Sequence, residues 1–525
     1  MRAALCISLL LAAGLNARGA QVPLQVDHQV VLQADDALSW DKDPGLNATG
    51  NRIFTSVSEL MQLWAGTVVV RGHSLTPCII PAGTVFYHGR GSALLPTVPE
   101  WLGFDFEHAY PFAFGTDAHV LILASRRPLR ILYFDGLSAH YSTQSQSIIM
   151  NGEVLPGSDK IPTLEIGKRL CAWGKKHGVD GFIRMEQHFE LIECDFADSF
   201  TLLEASRVIP QEERTHKDGG GRRGPGPRTP VPRPEGWIGA LPTDSIGELE
   251  IAGKWHDFAP GETRVWPVYS KFVTFYDPAV ASLVAGRRGE PREEHRLTEL
   301  TREDAQMKLR ELEEAVARPW DEGSGVDWAS IVHVVVERYG ERLALLEHTL
   351  SSAAVDGNAA AAAFHARQQV LIMLTPHFTT SDTPGNDTTR AWLAPVVARC
   401  AATHTRTISF LLQGTLTKQE EIIKGAVDDV LKQICRRLGR MFNVAVAVED
   451  PASAPAIKAD LAKEAMRAMA VVTEMHAELR ALMEWLDWAQ VWVRCRPACG
   501  VEQTCMVPRN GRPGRNPTCV QRPNV

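Results

Sequence analysis

The residues whose types could do chemistry are concentrated between positions 84 and 112. Apolar and aromatic residues at 85–87 predict a strand that ends at His88 and Gly89. A loop and a second short apolar run follow, and that run ends at Asp105, just before the start of a predicted helix. Asp105 and Glu107 suggest the carboxylate pair of a glycosidase, but two residues so close in the chain are poorly placed to flank a sugar from both sides.

Several well-known catalytic signatures are absent from the sequence. It contains no HExxH, no GxSxG, no phosphate-binding P-loop and no GxGxxG that opens a helix. The 17 histidines are scattered along the chain and form no ligand cluster in the sequence, so we expect no metal ion. The net charge of −7 gives no reason to expect a nucleic-acid partner.

Three segments occur in an order that resembles a known fold. The first is the Phe-Tyr-His-Gly strand end at 86–89, and the second is a strand that enters an aromatic-bearing helix at 101–112. The third is a Gly-Val-Asp-Gly turn at 178–181, followed by a strand that opens with Glu190. Over residues 83–203 the chain resembles the ADP-ribosyltransferase fold of the poly-ADP-ribose polymerase and diphtheria-toxin-like branch.

The resemblance implies that NAD is the substrate and assigns roles to individual residues. Breaking the glycosidic bond of NAD builds positive charge on the ribose, and Glu190 would stabilise that charge. His88 would hydrogen-bond the adenosine ribose, and the backbone of Gly89 would hold the nicotinamide amide. Tyr110 would stack on the nicotinamide ring, with Phe112 as a possible substitute.

The sequence departs from the family's pattern at position 90 and in its compressed second motif, which contains Tyr110, and it leaves one choice open. Arg90 follows His-Gly, where the family usually has Ser or Thr. Glu186 and Glu193 compete with Glu190 for the catalytic role. Because successive residues of a strand point to opposite faces, Glu190 and Glu193 cannot both face one site.

Two functions of different classes are compatible with these residues. The first is cleavage of the nicotinamide–ribose bond of NAD, with ADP-ribose transferred to an unknown protein or small-molecule acceptor or, in an NAD glycohydrolase, to water. The alternative is a non-enzymatic secreted protein that uses a degenerate form of the fold for binding or for structure.

The N-terminus predicts secretion. Arg2 precedes an apolar run at 3–15 and then small residues, which is typical of a signal peptide over residues 1–19. The run is too short to span a bilayer, so we expect an extracellular protein without a membrane span. Asn47 and Asn386 each begin an Asn-x-Thr acceptor sequence for glycosylation.

Cysteine usage agrees with an oxidising compartment. The last part of the chain, rich in Pro and Gly, is expected to hold two disulfides, and its three possible connectivities stay open. A zinc site there is less well supported, because this part contains no tight Cys-x-x-Cys pair. The cysteines concerned are Cys495, Cys499, Cys505 and Cys519. The other cysteines of the mature chain, at 78, 171, 194, 400 and 435, are odd in number, so one thiol is expected to be free.

Hydrophobic periodicity divides the chain into regions of different character. The helical period is clear at 57–64 and 164–177, and from 297 onward it predicts successive helices that include 328–350 and 359–374. The predicted fold class is an α+β N-terminal domain with a split, mostly antiparallel sheet, an all-α C-terminal domain and a disulfide-rich tail. The boundaries are a polar lead-in at 20–52, the α+β domain at 53–209, a disordered Gly/Pro/Arg linker at 210–235, the mainly helical domain at 236–493 and the tail at 494–525.

Overall fold

The computed structural model describes most of the chain. The described residues are 39–45, 47–138, 143–186, 188–209, 235–239, 254–384, 390–448, 461–506 and 516–522. The predicted signal peptide, nearly all of the predicted linker and Asn386 lie outside the described residues.

A mixed sheet of ten strands forms the N-terminal region. Its strands are β1 (Arg71–Ile80), β2 (Val85–Arg90), β3 (Glu100–Gly103), β4 (His119–Ser125), β5 (Leu129–Gly136), β6 (Gly181–Met185), β7 (Phe189–Glu193), β8 (Phe200–Arg207), β9 (Trp266–Pro267) and β10 (Val273–Thr274). Their order is β10-β1-β5-β6-β7-β3-β2-β4-β8, and β9 pairs with β1. Of the described pairings, β5 with β6 is parallel and the others are antiparallel.

Helices make up most of the C-terminal region and cover the sheet. They are α1 (Gly50–Ser58), α2 (Leu63–Val68), α3 (Phe106–Ala109), α4 (Gln144–Asn151), α5 (Thr163–His177), α6 (Phe196–Ser199), α7 (Val284–Arg287), α8 (Arg302–Ala317), α9 (Trp328–Asp356), α10 (Ala359–Leu374), α11 (Ala394–Ala401), α12 (Arg406–Leu411), α13 (Lys418–Ala445), α14 (Leu461–Leu486) and α15 (Ala489–Trp492). No helix among the described residues combines the length and the apolar composition needed to cross a bilayer.

The helices with clear start and stop signals begin and end close to where the sequence predicts. Gly178 ends α5 in the left-handed conformation, with φ of 67°, which suits a residue without a Cβ atom. Thr417 and Glu420 form a capping box at the start of α13, and this box satisfies backbone donors that the helix leaves unpaired.

The helix predicted at 57–64 is wrong. α1 ends at Ser58 and α2 begins at Leu63. Between them Met61 has a φ of 61°, a conformation that no α-helix contains. Leu60 and Met61 in the turn and Leu63 at the start of α2 all pack into the sheet core, so a turn and a helix end together imitate the apolar spacing of one helix.

Segments distant in the sequence share each hydrophobic core. Ile53, Phe54 and Val57 of α1 belong to the core of the C-terminal helices, although they precede the first strand. Conversely, Val273 of β10 and Leu312 of α8 pack against one face of the sheet with residues of α4 and α5. The boundaries drawn from the sequence therefore do not separate the two cores.

Disulfides are present in the sheet region, in the helical region and in the tail. The pairs are Cys171–Cys194, Cys400–Cys435, Cys495–Cys505 and Cys499–Cys519. The two tail disulfides hold a short hairpin of β11 (Gln503–Met506) and β12 (Thr518–Gln521). Cys78 is a buried free thiol, as the odd number of cysteines predicted. Asn47 is exposed.

The packing of α1 gives a test of the shared core. Phe54 is 1% exposed and its ring lies 5.9 Å from that of Trp488. The substitution Phe54→Ala would leave a cavity in the helical core, and we expect it to lower the free energy of unfolding by about 3–5 kcal/mol. Phe410 is 72% exposed, so Phe410→Ala should change it by less than about 0.5 kcal/mol. Denaturant titration measures both, and a loss below about 1 kcal/mol for Phe54→Ala would contradict this placement of α1.

Candidate functional site

A cavity of about 530 Å³ opens where β2, β3 and β7 meet, close to α3. The strand register explains the position of the cavity. Gly103 of β3 lies opposite both Tyr87 of β2 and Glu190 of β7, so the middle of the sheet has no side chain at that point. The lining residues are Tyr87, His88, Gly89, Arg90, Gly91, Ser92, Glu100, Trp101, Gly103, His108, Ala109, Phe112, Phe114, Leu164 and Glu190.

Glu190 is held at the inner end of the cavity by two basic side chains. Its carboxylate accepts a hydrogen bond from the Nε of Arg184 on β6, and it lies 3.4 Å from the Nε2 of His108. The side chain of Glu190 is only 1% exposed. Burial opposes ionisation, but the charge of Arg184 and the hydrogen bond from His108 outweigh it and keep the pKa of Glu190 below its ordinary value. Glu190 is therefore a buried carboxylate anion at neutral pH.

Arg184 is fixed from a second side by the neighbouring strand. Its guanidinium carbon lies 4.8 Å from the centre of the Trp101 ring, which is a cation–π contact. Trp101 is on β3, so Arg184 connects β6 to β7 through Glu190 and to β3 through Trp101. Arg184 itself is 3% exposed, and this burial strengthens its attraction for Glu190.

His88 lies at the other side of the cavity, and both nitrogens of its ring contact residues of β3. Its Nδ1 is 2.6 Å from the carbonyl oxygen of Trp101, and its Nε2 is 2.9 Å from an Oε atom of Glu100. Both partners are acceptors, so the ring satisfies both only when each nitrogen carries a proton. The hydrogen bond from His88 lowers the pKa of Glu100 below its ordinary value, against the opposing effect of partial burial.

The close packing of α3 against β2 leaves no space for a side chain at Gly89. A Cβ atom at this position would lie 2.0 Å from the carbonyl oxygen of Ala109 in α3 and 2.8 Å from the backbone nitrogen of Ala113. Any side chain at position 89 would therefore push α3 away from β2. The close approach of α3 is what places His108 next to Glu190.

The structure does not bring Tyr110 to the cavity. The Tyr110 side chain is buried, its ring stacks on Phe106 at 5.6 Å, and its hydroxyl donates to the carbonyl oxygen of Ile209 at 2.6 Å. Phe112, the substitute weighed in the sequence, lines the cavity and is 43% exposed. Its ring is 5.9 Å from that of His108. Of the two aromatic residues weighed in the sequence, Phe112 and not Tyr110 is in position to stack on a ligand.

Neither competitor of Glu190 lines the cavity. Glu193 accepts hydrogen bonds from the hydroxyl of Ser199 at 2.8 Å and from the backbone of Asp195 at 2.9 Å, on the opposite face of β7. Glu186 lies next to His108 and Glu190, beyond the end of β6. Glu193 is thus separated from Glu190 by the face of β7 on which it lies, whereas Glu186 lies beside Glu190 but does not line the cavity.

Sequence reasoning missed Arg184, His108 and Glu100 as members of this site. Arg184 is a charged residue inside an otherwise apolar strand, and that was a usable signal, because a buried charge requires a partner. His108 lies within the stretch that the sequence singled out, but its distance from Glu190 depends on how α3 packs. No local pattern predicts that packing.

Comparisons with known proteins give relatives without a described activity. The family described as the YPL277C N-terminal domain matches residues 115–214, which include Arg184 and Glu190 but not β2 and β3. The Saccharomyces cerevisiae proteins "Uncharacterized protein YOR389W" and "Uncharacterized protein YPL277C" are 27% and 25% identical over 251 and 252 residues. These alignments cover 38% of this chain in both cases, and 38% and 48% of the relatives. No solved structure matches.

The burial of Glu193 predicts a pH dependence of stability. Burial raises the pKa of this carboxyl from 4.5 to about 8, although Asp195 and Ser199 donate to it. The unfolded chain releases the proton near pH 4.5 and the folded chain keeps it to about pH 8, so the stabilising contribution is complete below pH 4.5 and is lost as the pH rises towards 8.

The variant Glu193→Gln cannot ionise, so its stability relative to the wild type should rise by up to about 3 kcal/mol between pH 5 and pH 7.5. Denaturant titrations of both proteins across this range measure the difference. A difference that does not change with pH would show that Glu193 is ionised in the folded protein.

Proposed function

We propose that the cavity binds NAD and that the protein cleaves its nicotinamide–ribose bond, with Glu190 as the catalytic carboxylate. The observation that carries the proposal is that His88, Gly89 and Glu190 line one cavity, although they lie on two strands that are distant in the sequence. These are residues whose roles the resemblance to ADP-ribosyltransferases assigned from sequence alone.

The chemistry requires an anion near the ribose. As the bond between the ribose C1′ and the nicotinamide nitrogen breaks, its electron pair leaves with nicotinamide and positive charge develops on the ribose. Glu190 stabilises this charge as a carboxylate in a site that is largely closed to water, where electrostatic interactions are strong. The acceptor, or water in a glycohydrolase, then adds to C1′ and releases its proton.

The walls of the cavity suit the parts of such a ligand. Its volume of about 530 Å³ lies within the range of small-molecule sites. Trp101, Phe112 and Phe114 supply aromatic surface for a planar ring. Arg90, which occupies the position of the family's Ser or Thr, places a cation at the same cavity, where it fits the two phosphates of NAD.

We further propose that the protein is secreted, with NAD as a substrate rather than a resident cofactor. The predicted signal peptide and the four disulfides support this compartment. The acceptor of ADP-ribose is a protein or a small molecule that reaches the open side of the cavity. Asn47, which is exposed, is available for glycosylation in that compartment.

One observation favours the second candidate, a non-enzymatic binding protein. Glu190 is 1% exposed, and Arg184 already neutralises its charge, so the pair also has the character of a structural ion pair in the sheet. His88 is likewise engaged by Glu100. In this alternative the cavity binds a ligand but does not cleave it.

The test is nicotinamide release from NAD by the full-length protein with its disulfides intact. We expect Glu190→Gln to lower the rate by about a hundredfold to a thousandfold, because the neutral amide keeps the shape but not the charge. Glu193→Gln on the opposite face of β7 is the matched control and should keep the wild-type rate within about twofold. Liquid chromatography of the released nicotinamide gives the rates.

Each other outcome has a distinct meaning. If release survives in Glu190→Gln, the assignment of the catalytic carboxylate is wrong. If the wild type binds NAD without releasing nicotinamide, the binding-protein candidate is correct. If it neither binds nor cleaves NAD, both forms of the NAD proposal fail.

A further inference from the structure

A second group of polar side chains lies behind the cavity, and none of its members lines the cavity. Asp105 follows β3 and precedes α3, His188 is in the turn between β6 and β7, and His256 is in the single-turn 3₁₀ helix Lys254–His256. All three side chains are buried, with exposed fractions of 6%, 2% and 0%. The fold thus gathers two imidazoles and a carboxylate from three separate segments.

The donor atoms of this group face one another. One ring nitrogen of each histidine and one carboxylate oxygen of Asp105 all lie within 4.8 Å of one another. The Nδ1 of His188 is 3.5 Å from the Oδ2 of Asp105. Bound to one tetrahedral zinc ion, donor atoms lie about 3.4 Å apart, so small side-chain rotations bring the three into coordinating distance.

His256 supplies an independent indication that something binds here. The ring is fully buried, and neither of its nitrogens has a hydrogen-bond partner among the residues that the structure describes. The Oδ2 of Asp105 is also buried, and its contact with the Nδ1 of His188, at 3.5 Å, is long for a hydrogen bond. A buried polar atom that stays unsatisfied destabilises the fold, because it has lost its hydrogen bonds to water. A cation between them satisfies the oxygen and one nitrogen at once.

We propose that Asp105, His188 and His256 bind a divalent transition-metal ion of the kind that imidazole prefers, such as Zn²⁺. Two imidazole nitrogens and one carboxylate oxygen form a ligand set that zinc and non-haem iron sites use. The ion would bind through the free lone pair of one nitrogen on each neutral imidazole and through the Asp105 carboxylate, so no group other than the ion is transferred. The proposal does not depend on the NAD reaction.

The charges around the group suit a cation. Arg264 donates to the other oxygen of Asp105 at 3.4 Å, which leaves Oδ2 directed at His188. The fully buried Glu262 accepts two hydrogen bonds from the same guanidinium and offsets its charge. With neutral imidazoles the two carboxylates and Arg264 carry a net charge of about −1, so a divalent ion finds an attractive field.

The other candidate clusters of the described residues fit a metal ion less well. His108, Glu186 and Glu190 also lie close together, but the Arg184 guanidinium already occupies Glu190. Cys495, Cys499 and Cys505 are committed to disulfides, which removes their thiolates as ligands. We choose the Asp105 group because both nitrogens of the buried His256 ring lack a hydrogen-bond partner among the described residues.

The position of the ion indicates a structural role. The His188 ring stacks on that of His108 at 5.4 Å, and His108 lines the cavity next to Glu190. Among the described residues the three ligand side chains are nearly closed to solvent, which favours a structural role over direct contact with substrate. The ion would connect the end of β3, the turn after β6 and the 3₁₀ helix at 254–256, and would hold His108 in place from behind.

The test uses the full-length, oxidised protein after dialysis against a chelator, with Co²⁺ as the spectroscopic probe. We expect one equivalent of Co²⁺ to bind and to give the visible absorption of a four- or five-coordinate site with nitrogen and oxygen ligands. The band of a thiolate ligand should be absent. Removal of a residue that only orients a metal ligand weakens metal binding by roughly tenfold to hundredfold. Removal of a ligand itself should weaken binding by more than this. His256→Gln and Asp105→Asn should therefore weaken binding by at least about a hundredfold.

The matched control is His377→Gln, because His377 is also a buried histidine but lies in the helical region. It should bind Co²⁺ as the wild type does. Absence of Co²⁺ binding by the wild type, or equal binding by His256→Gln, would overturn the proposal. If the variants do not fold, the wild type alone decides: its melting temperature must rise with Zn²⁺ and fall back with chelator, and no change would refute the site.

Discussion

The ion pair between Arg184 and Glu190 is the interaction on which the candidate site depends. It lies between β6 and β7, in the middle of the ten-stranded sheet, and both side chains are almost completely buried. An unpaired charge in that position would be strongly unfavourable, and loss of one partner of such a pair typically costs about 3–5 kcal/mol. Arg184 therefore allows an anionic carboxylate to exist where water is scarce.

The surrounding elements are arranged around this pair. β3 supplies Trp101, which covers the guanidinium, and Gly103, which leaves space for the cavity directly opposite Glu190. α3 approaches β2 closely because Gly89 has no side chain, and His108 reaches Glu190 as a result. Because Arg184 compensates the buried charge of Glu190, the carboxylate remains ionised and can act on a ligand in the cavity. In this way the sheet supports the proposed NAD chemistry.

Local patterns in the sequence predicted the elements well and their partners poorly. α10 coincides with its prediction, and α5 ends at Gly178 as expected, because helix periodicity and a terminal glycine are local signals. The prediction at 57–64 failed because buried residues in a turn can imitate the helical spacing. The packing of α1 with helices hundreds of residues later was not predictable, since an apolar face does not specify what covers it.

The same distinction applies to the site. His88, Gly89 and Glu190 were selected from sequence and lie at one cavity, whereas Tyr110 turns into the fold and Phe112 takes the exposed position. Pro111 and the 3₁₀ turn Tyr110–Phe112 decide which aromatic residue faces outward. The buried group of Asp105, His188 and His256 escaped sequence reasoning entirely, because its members are far apart in the chain and no spacing connects them.

The most direct test of the central claim is equilibrium binding of NAD to the cavity, measured by isothermal titration calorimetry on the full-length oxidised protein. Ser92 lines the cavity in the loop after β2, so Ser92→Trp should obstruct the cavity while both His88 and Glu190 keep their own side chains. We expect saturable binding with one site in the wild type and at least about tenfold weaker binding in Ser92→Trp, in line with the cost of steric exclusion from a shaped pocket. Absence of binding in the wild type, or equal affinity in the obstructed variant, would contradict it.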